Sequence, residues 1–519
     1  MKSIVKIKLT NFKRYQKFEE QFDERINLLI GDNEAGKSSL LTAIDIVLSG
    51  SRNKVESIGL EYLFNTKVVS DFLESGKKYN DLPILKIEIF LNEQNNEETN
   101  GRINSDKREL DGLTLICEPN ADYSSDIKRI LEEENCLFPF EYYSINFKTF
   151  ADQSYSSYKK HLKHILIDNS LVSSEYAMRE YIKDIYNSSV TTSIEKYKHQ
   201  HEYRSHKENF KNNSFRELNE RLGNYKFAIK SNSKSNLETD LTIFEDDISI
   251  DNKGKGKQCF IKTELALSRK STDLELVLLE EPENHLSHAN VRRLIQSIRK
   301  TNDKQIFIAT HSDMISTRLD LRKSILLNST SQNSVKLRSL PEETARFFVK
   351  APDNNILEFI LSDKIILVEG DAEYMLITAF FEKLSGRNID EYGIHVISVG
   401  GISFKRYLDI AMILDIKTAV IRDNDKNYEV NCIENYKTYS NKNISIFFDD
   451  DNTRSTFEIC LYQDNTTTCE NIFGANRKRL SVLEYMLKNK AEAAYQLLDV
   501  SNNLVVPDYI NNALEWIKS

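Results

Sequence analysis

The period of apolar and polar positions changes several times along the chain, and the changes divide it. "SIVKIKLTNF", Ser3 to Phe12, alternates with period two and predicts a half-buried strand. "INLLIG", Ile26 to Gly31, is a short continuous apolar run of the buried-strand kind. "KSSLLTAIDIVLSG", Lys37 to Gly50, repeats its apolar residues at helical spacing and stops at a glycine. "LPILKIEIFLN", "GLTLICE" and "EYYSINF" predict further strands before residue 150. From 155 to 240 the rhythm gives way to Lys, His, Asn, Ser and Tyr. Here "SEYAMREYIKDIYNSSV" and "FRELNERLGNY" read as helices and "SNSKSNLETD" as a loop, so a helical insertion is expected, too broken in its heptads for a long coiled coil. Apolar strands return between 241 and 350 in "LELVLLEEPENHL" and "KQIFIATHS". A strand–helix alternation then restarts with "KIILVEG", "AEYMLITAFFEKL", "GIHVISVGG", "SFKRYLDIAMILDI" and "KTAVIRDND". That alternation predicts an α/β fold with a parallel or mostly parallel sheet, where functional residues collect at the carboxyl ends of strands. The expected divisions are 1–154, 155–240, 241–350 and 360–519.

Composition narrows the picture. The 519 residues admit several domains, and 29% charged with 40% apolar residues is ordinary for a globular chain. A net charge of -9 excludes a uniformly basic nucleic-acid coat but leaves room for a local basic groove. The six cysteines (Cys117, Cys136, Cys259, Cys432, Cys460 and Cys469) form no C-x-x-C pair. They predict reduced, buried thiols in a cytoplasmic protein rather than a zinc site or a disulfide framework. "MKSIVKIKLTNFKRYQKF" lacks the apolar stretch of a signal peptide, and no run of about 18 apolar residues occurs, so no membrane association is expected.

"GDNEAGKS", Gly31 to Ser38, fits G-x-x-x-x-G-K-[ST] between a predicted strand and a predicted helix, the context in which that pattern cradles nucleotide phosphates. Gly31 and Gly36 let backbone N–H groups wrap the phosphates, with Asn33 and Ser39 completing the loop. Lys37 is expected to reach the β- and γ-phosphates of ATP, and Ser38 to ligate Mg²⁺. "LVLLEEPENHL", Leu276 to Leu286, delivers Glu280 and Glu281 to the end of an apolar strand. By order, Glu280 takes the Mg²⁺ and Glu281 is the base that orients or deprotonates the attacking water. "IFIATHS" places His311 at the end of another strand, where it can sense a γ-phosphate.

Over residues 1–345 these pieces resemble the ABC-type ATPases of the SMC and RecF kind. The resemblance implies a D-loop at "HLSH", His285 to His288. It also implies a signature loop ahead of the acid pair that binds the ATP of a second subunit. "KGKGKQ", Lys253 to Gln258, fills that slot, with Gly254 and Gly256 to admit a phosphate. The loop departs from the usual LSGGQ-like pattern, and Glu280 stands where the group has Asp. Gln153 in "FADQSY" takes the place of the Q-loop glutamine. A signature loop serving another subunit's nucleotide implies a homodimer or higher homo-oligomer.

A second constellation lies further on. "VEGDAE" supplies Glu369, Gly370 and Glu373, the glycine permitting a tight turn at a strand end; "AVIRDNDKN" supplies Asp423 and Asp425 after another apolar strand. Residues i and i+2 of a strand point the same way, so Asp423 and Asp425 are expected to converge. An oxygen-rich cluster of this kind suits Mg²⁺ or Mn²⁺, with Ca²⁺ also admissible.

E-G-x-x-E followed by a strand ending in D-x-D, with "VISVGG" (Gly400, Gly401) between them, resembles the Toprim domain. An ABC-type ATPase head fused to a C-terminal Toprim domain is similar to the OLD (overcoming lysogenization defect) nucleases, including Gabija nuclease subunits and retron-associated OLD effectors. The resemblance implies an ABC-type, SMC/RecF-like head with a helical insertion that serves dimerisation, followed by a Toprim α/β domain. It implies metal ligands at Glu369, Glu373, Asp423 and Asp425, with Glu458 of "TRSTFEICLY" as a further acid. Lys490 of "LKNKAEAAYQLL" would then offset charge on the scissile phosphate, with Lys488 as a rival. "NRKRL", including Arg477 and Arg479, is placed to track a DNA backbone. The implied function is an ATP-regulated, divalent-metal-dependent DNA endonuclease of antiviral defence, with DNA as substrate and a helicase, or a retron reverse transcriptase with its msDNA, as companion. Three alternatives stay open: an SMC-like DNA-binding ATPase with an inactive Toprim domain, a Toprim primase or topoisomerase-like enzyme, and a structural ATPase bound to another defence protein with catalysis elsewhere.

Overall fold

The computed structural model describes residues 1–92, 95–133, 136–169, 182–183, 186, 189–190, 192–221, 227, 229, 237–245, 247–268, 274–329, 331–351, 355–400, 404–474 and 479–519. The chain divides into two compact units. One is formed by Met1–Asn27 with Gly36–Thr310, the other by Leu28–Ala35 with His311–Ser519.

The first unit holds an antiparallel sheet and a parallel one. β1 (Ile4–Phe12) pairs with β2 (Tyr15–Gln21) and, on its other side, with β4 (Leu85–Leu91). β4 pairs with β6 (Leu110–Pro119), which also meets β5 (Asn100–Gly101) and β7 (Tyr143–Thr149). On β1, Ile7 and Leu9 are buried while Lys6 and Lys8 form ion pairs with Asp106 and Glu19, so one face is apolar and the other carries paired charge. In the parallel sheet β11 (Leu276–Glu280) lies between β8 (His164–Asp168) and β12 (Gln305–Ala309). β9 (Phe244–Glu245) and β10 (Ile248–Ser249) form a separate small hairpin.

The helix Lys37–Ser49 packs against strands of both sheets, burying Leu40, Leu41, Ile44 and Val47. Its polar Asp45 is also buried. Nε2 of His164 on β8 stands 3.0 Å from one Asp45 oxygen, and the Lys54 ammonium pairs with the other. Burial alone would raise the Asp45 carboxyl; His164 and Lys54 outweigh it and hold the group at about 2.

β8 lies inside the stretch expected to be helical. "HILID" is only five residues long, buries alternate positions, and carries too short a pattern to stand out from its polar flanks. Helices do follow, at Ser193–Ser214 and Arg216–Arg221. Residues 174–181, 184–185 and 187–188 of the first predicted helix of the insertion, and residues 222–225 of the second, lie outside the described residues. The expected loop 231–240 ends in a one-turn helix, Leu237–Asp240.

In the second unit β3 (Ile26–Gly31) runs parallel to β13 (Ser324–Leu327), and β13 pairs antiparallel with β14 (Ser334–Lys336). A four-stranded parallel sheet follows: β15 (Lys364–Val368), β16 (Ile394–Ser398), β17 (Lys417–Ile421) and β18 (Ile444–Phe447), in the order β16-β15-β17-β18. The predicted α/β alternation is therefore realised. Phe380, Phe381, Leu461, Leu497, Ile510 and Leu514 belong to the apolar core that these strands share with the surrounding helices. All six cysteines are buried and free, and no helix among the described residues is long and apolar enough to cross a membrane.

Removing the Asp45 carboxylate leaves the buried His164 ring and the Lys54 ammonium without their shared partner. Asp45→Ala is expected to lower stability by roughly 3 kcal/mol, read by thermal or urea unfolding. The contribution is present above the unfolded-state value near 4 and is lost as pH falls toward about 2.

Candidate functional site

In the first unit Gly36 caps the helix Lys37–Ser49 at a φ of 97°, and a Cβ there would lie 2.2 Å from the Tyr15 hydroxyl oxygen. Both facts require glycine. Lys37 is buried at the helix start, Ser38 is exposed beside it, and Ser39 is half-buried. The first N–H groups of a helix have no intrahelical acceptor, so this end is suited to phosphate. β11 delivers Glu280 beside Ser38. Burial raises the Glu280 carboxyl, the Ser38 hydroxyl draws it down, and Asp168 and Glu281 raise it again. The predicted Mg²⁺ pair, Ser38 and Glu280, thus shares one place.

Glu281 follows in a left-handed conformation, φ 45°. Its N–H donates to the Ala309 carbonyl at 2.8 Å, and its carboxylate accepts from Asn284 Nδ2. Thr310 Oγ1 donates to Glu283 at 2.6 Å, tying the acidic turn to the end of β12.

Two neighbours went unread in the sequence because β8 did. Asp168 ends β8 within the field of Glu280. Asn169 donates its N–H to the Glu280 carbonyl at 3.2 Å, and its own side-chain amide is buried without a hydrogen-bond partner. Gln153 instead lies exposed in the turn after β7, on the antiparallel sheet, its carbonyl accepting from Thr149.

The expected loop Lys253–Gln258 is only partly a loop, because a helix begins at Lys255. Gly256 sits in its first turn, where a Cβ would meet the His285 carbonyl oxygen at 2.0 Å; Gly254 has open space around it. Contact with the His285 turn accounts for Gly256. Lys253 and Lys257 both pair with Glu245.

Gly31, Asn33 and His311 belong to the second unit. A Cβ on Gly31 would lie 2.2 Å from the Leu327 carbonyl on β13, so the phosphate loop begins where only glycine fits. Asn33 and His311 are exposed. Two residues beyond His311, Asp313 Oδ1 accepts the Leu357 N–H at 2.8 Å.

The second constellation lies wholly in this unit. β15 ends at Val368, Glu369 follows, and Gly370 precedes the helix Asp371–Ser385. Gly370 is extended (φ −147°), a conformation open to any residue, and a Cβ would lie 3.4 Å from Glu373 Oε2. The expected tight turn is therefore not what requires glycine, and a Cβ there would come only into contact distance of the Glu373 carboxylate. Gly400, after β16, does need glycine's freedom, with φ 64°; Gly401 lies outside the described residues.

β17 stops at Ile421, so Asp423 and Asp425 stand beyond the strand, and strand alternation does not aim them together. Asp423 is buried and accepts the Phe457 N–H at 2.7 Å. Asp425 is exposed, at φ 50°, with its N–H on the Ser455 carbonyl. Between them the buried Asn424 gives Nδ2 to the carbonyls of Asp449, Asp451 and Arg454 at 2.8, 3.0 and 3.3 Å. That clamp fixes the loop leading into the helix Phe457–Asp464, and so fixes Glu458.

Glu458 is 2% exposed and pairs with the Lys490 ammonium at 3.0 Å; Lys490 opens the helix Lys490–Leu498. Lys490 thus reaches this centre, and no contact places Lys488 there. Residues 477–478 of the basic stretch lie outside the described residues.

Burial pushes Glu373 up to about 7, and Asp423, repelled further by Glu373, Glu369 and Glu458, up to about 8. Glu369 is raised by burial and by Asp425. Burial alone would lower the Lys490 ammonium; Glu458, Asp423 and Glu373 hold it above its usual range. A cleft of 230 Å³ opens onto Glu369, Gly370, Glu373 and Lys490.

No three His, Cys, Asp or Glu side chains among the described residues close around a single point. The donor set nevertheless suits a hard divalent cation. Glu369 Oε2 and Glu458 Oε2 are buried and accept no hydrogen bond, and two neighbouring carboxyls hold protons that a cation would replace.

Two family models match the chain. Residues 26–316 match "AAA domain, putative AbiEii toxin, Type IV TA system", and residues 360–425 match "Overcoming lysogenization defect protein-like, TOPRIM domain". The Old nuclease of Escherichia phage P2 is 23% identical over 176 residues, covering 32% of this chain and 30% of that protein. The DNA replication and repair protein RecF of Oceanobacillus iheyensis is 46% identical over 50 residues, covering 10% of this chain and 13% of that one. The chain therefore spans less than a third of either relative. Among solved structures, the C-terminal region of the Burkholderia pseudomallei OLD protein is 23% identical and covers 30% of this chain and 97% of that chain, at a TM-score of 0.25. An SMC head bound to the C-winged helix domain of ScpA is 15% identical and covers 65% and 98%, at a TM-score of 0.37. The first family model spans more than half of the chain, and the second covers Glu369, Glu373, Asp423 and Asp425. The chain belongs to the AAA domain family and, with its C-terminal Toprim domain, to the OLD-type ATPase–Toprim proteins.

Proposed function

We propose that this chain is a divalent-metal-dependent DNA endonuclease whose Toprim centre is controlled by ATP at its AAA domain. The observation that carries the reading is the gathering of Glu369, Glu373, Asp423 and Glu458 in one electrostatic field with Lys490, beside an open cleft at the carboxyl end of β15. Held by these carboxylates, a divalent cation would supply an activated water near neutral pH and would offset charge on the phosphate. Glu369, Glu373, Asp423 and Asp425 are the residues to hold it, with Glu458 behind them. The cleft admits a phosphodiester on the side where Lys490 stands, and its ammonium answers the negative charge that grows on the phosphate. Asn424 positions Glu458 through the loop it clamps.

At the AAA domain, Lys37 and the helix start receive the ATP phosphates, Ser38 and Glu280 the Mg²⁺, and Glu281 the attacking water. His311 senses the γ-phosphate, and Gly254 opens the basic helix start to a second subunit's nucleotide in a homo-oligomer. The fusion of these two domains supports a role in antiviral defence with DNA as target and with a helicase or reverse transcriptase as companion. The full set of acids speaks against an inactive Toprim domain.

Nicking of supercoiled plasmid with Mg²⁺ or Mn²⁺ tests the reading. Glu373→Ala and Asp423→Ala are each expected to lower cleavage by at least about a hundredfold. Equal cutting by wild type and Asp423→Ala would sink it. Lys37→Ala is expected to keep metal-dependent cutting and to lose the response to ATP.

The folded protein holds protons on Glu373 and Asp423 to about 7 and 8, whereas the unfolded chain gives them up near pH 4. Metal-free stability should therefore fall as pH rises between those limits, and Asp423→Asn should flatten the fall. Metal affinity should climb over the same range with release of protons, measured by calorimetry in two buffers of different ionisation enthalpy.

A further inference from the structure

The acid motifs do not announce Arg422, yet it stands among their side chains. It directly precedes Asp423, and its N–H donates to the Phe447 carbonyl at 3.0 Å, which fixes it at the end of β17. Nη1 donates to the Tyr436 hydroxyl at 2.7 Å, and the guanidinium lies 5.8 and 5.6 Å from the Phe404 and Tyr436 ring centroids. Nη2 is 3.6 Å from Asp425 Oδ2, too long for a hydrogen bond, and Nε is buried and donates to nothing. The guanidinium also draws down the Glu369 carboxyl, against burial and Asp425.

Nε and Nη2 form the side-on edge of an arginine, the pair of donors that matches two oxygens of one phosphate. Here the guanidinium is held by Tyr436 and the two rings, and its Nη2 faces a loosely set carboxylate, that of Asp425. Without a divalent cation, Arg422 beside Asp425 and Lys490 beside Glu458 supply the positive charge that these acids need.

We propose that Arg422 is a phosphate-binding residue of the Toprim centre, held in reserve by Asp425 and freed for the DNA when Asp425 gives its carboxylate to a divalent cation. The assignment rests on the nuclease reading above.

The test uses the full chain with Mn²⁺ alone and with a phosphorothioate-linked DNA duplex that resists cutting. By calorimetry, Arg422→Met should bind Mn²⁺ several-fold more tightly than wild type, because a competing charge is gone. By fluorescence anisotropy with Mn²⁺ present, the same variant should bind the duplex about tenfold more weakly, with the salt slope reduced by roughly one. Without Mn²⁺ its DNA affinity should equal that of wild type. Arg422→Lys should recover the salt slope but not the full affinity, since an ammonium lacks the fork; if Arg422→Met melts early, the lysine variant carries the comparison. Weaker Mn²⁺ binding by Arg422→Met, or a DNA defect that is absent or equal with and without Mn²⁺, would overturn the assignment. A wild type that neither binds Mn²⁺ nor cuts DNA would instead sink the nuclease reading itself.

Discussion

Glu373, Asp423 and Glu458 are all nearly inaccessible to water and lie in one another's fields. Buried like charges repel strongly, so such a set persists in a folded protein only if something shares the negative charge. Three devices do so here. Glu373 and Asp423 retain protons, Lys490 neutralises Glu458, and Arg422 stands beside Asp425. The surrounding architecture follows from that need. A parallel sheet brings β15 and β17 side by side so that their ends converge, and the helices bearing Glu458 and Lys490 pack on the same apolar core. Each charge-sharing device is also one that a divalent cation would displace, which makes the centre receptive rather than merely stable.

The ATPase half meets its own constraint by enclosing a helix. The helix that starts at Lys37 is held between an antiparallel and a parallel sheet, and its buried Asp45 is anchored to β8 through His164. Ser38 and Glu280 are thereby held beside each other by elements far apart in sequence. Glycine appears where backbones crowd: Gly31 against β13, Gly36 against Tyr15 and Gly256 against the His285 turn.

Much of this was legible in the sequence. The strands leading to Glu280 and Glu369, the phosphate loop between strand and helix, and the α/β alternation after residue 363 are strong local patterns, and the structure realises them. What was not legible depended on contacts distant in sequence. β8 is five residues in a polar neighbourhood and is stabilised by pairing with β11, so Asp168 and Asn169 went unseen. Asp423 and Asp425 look like strand neighbours, but the strand ends earlier and the chain turns through left-handed conformations at Asp425 and Lys426. Gly256 looked like an opening for phosphate because its neighbour, the His285 carbonyl, is 29 positions away in the chain. Arg422 and Asn424 sit inside the acidic motif itself, yet only the fold shows that one aims a guanidinium and the other holds a loop.

The Asn424 amide has a consequence beyond positioning. Three main-chain carbonyls share one side-chain nitrogen, on a residue that is buried. Chemical ageing of that side chain by deamidation would exchange the donor for a second oxygen, setting acceptor against acceptor at all three points. The loop from Asp449 to Ser455 would then lose its anchor while the sheet beneath it stayed intact. An old protein molecule could therefore be fully folded and yet carry Glu458 out of place, a form of wear confined to the one part of the molecule where the chemistry is proposed to occur.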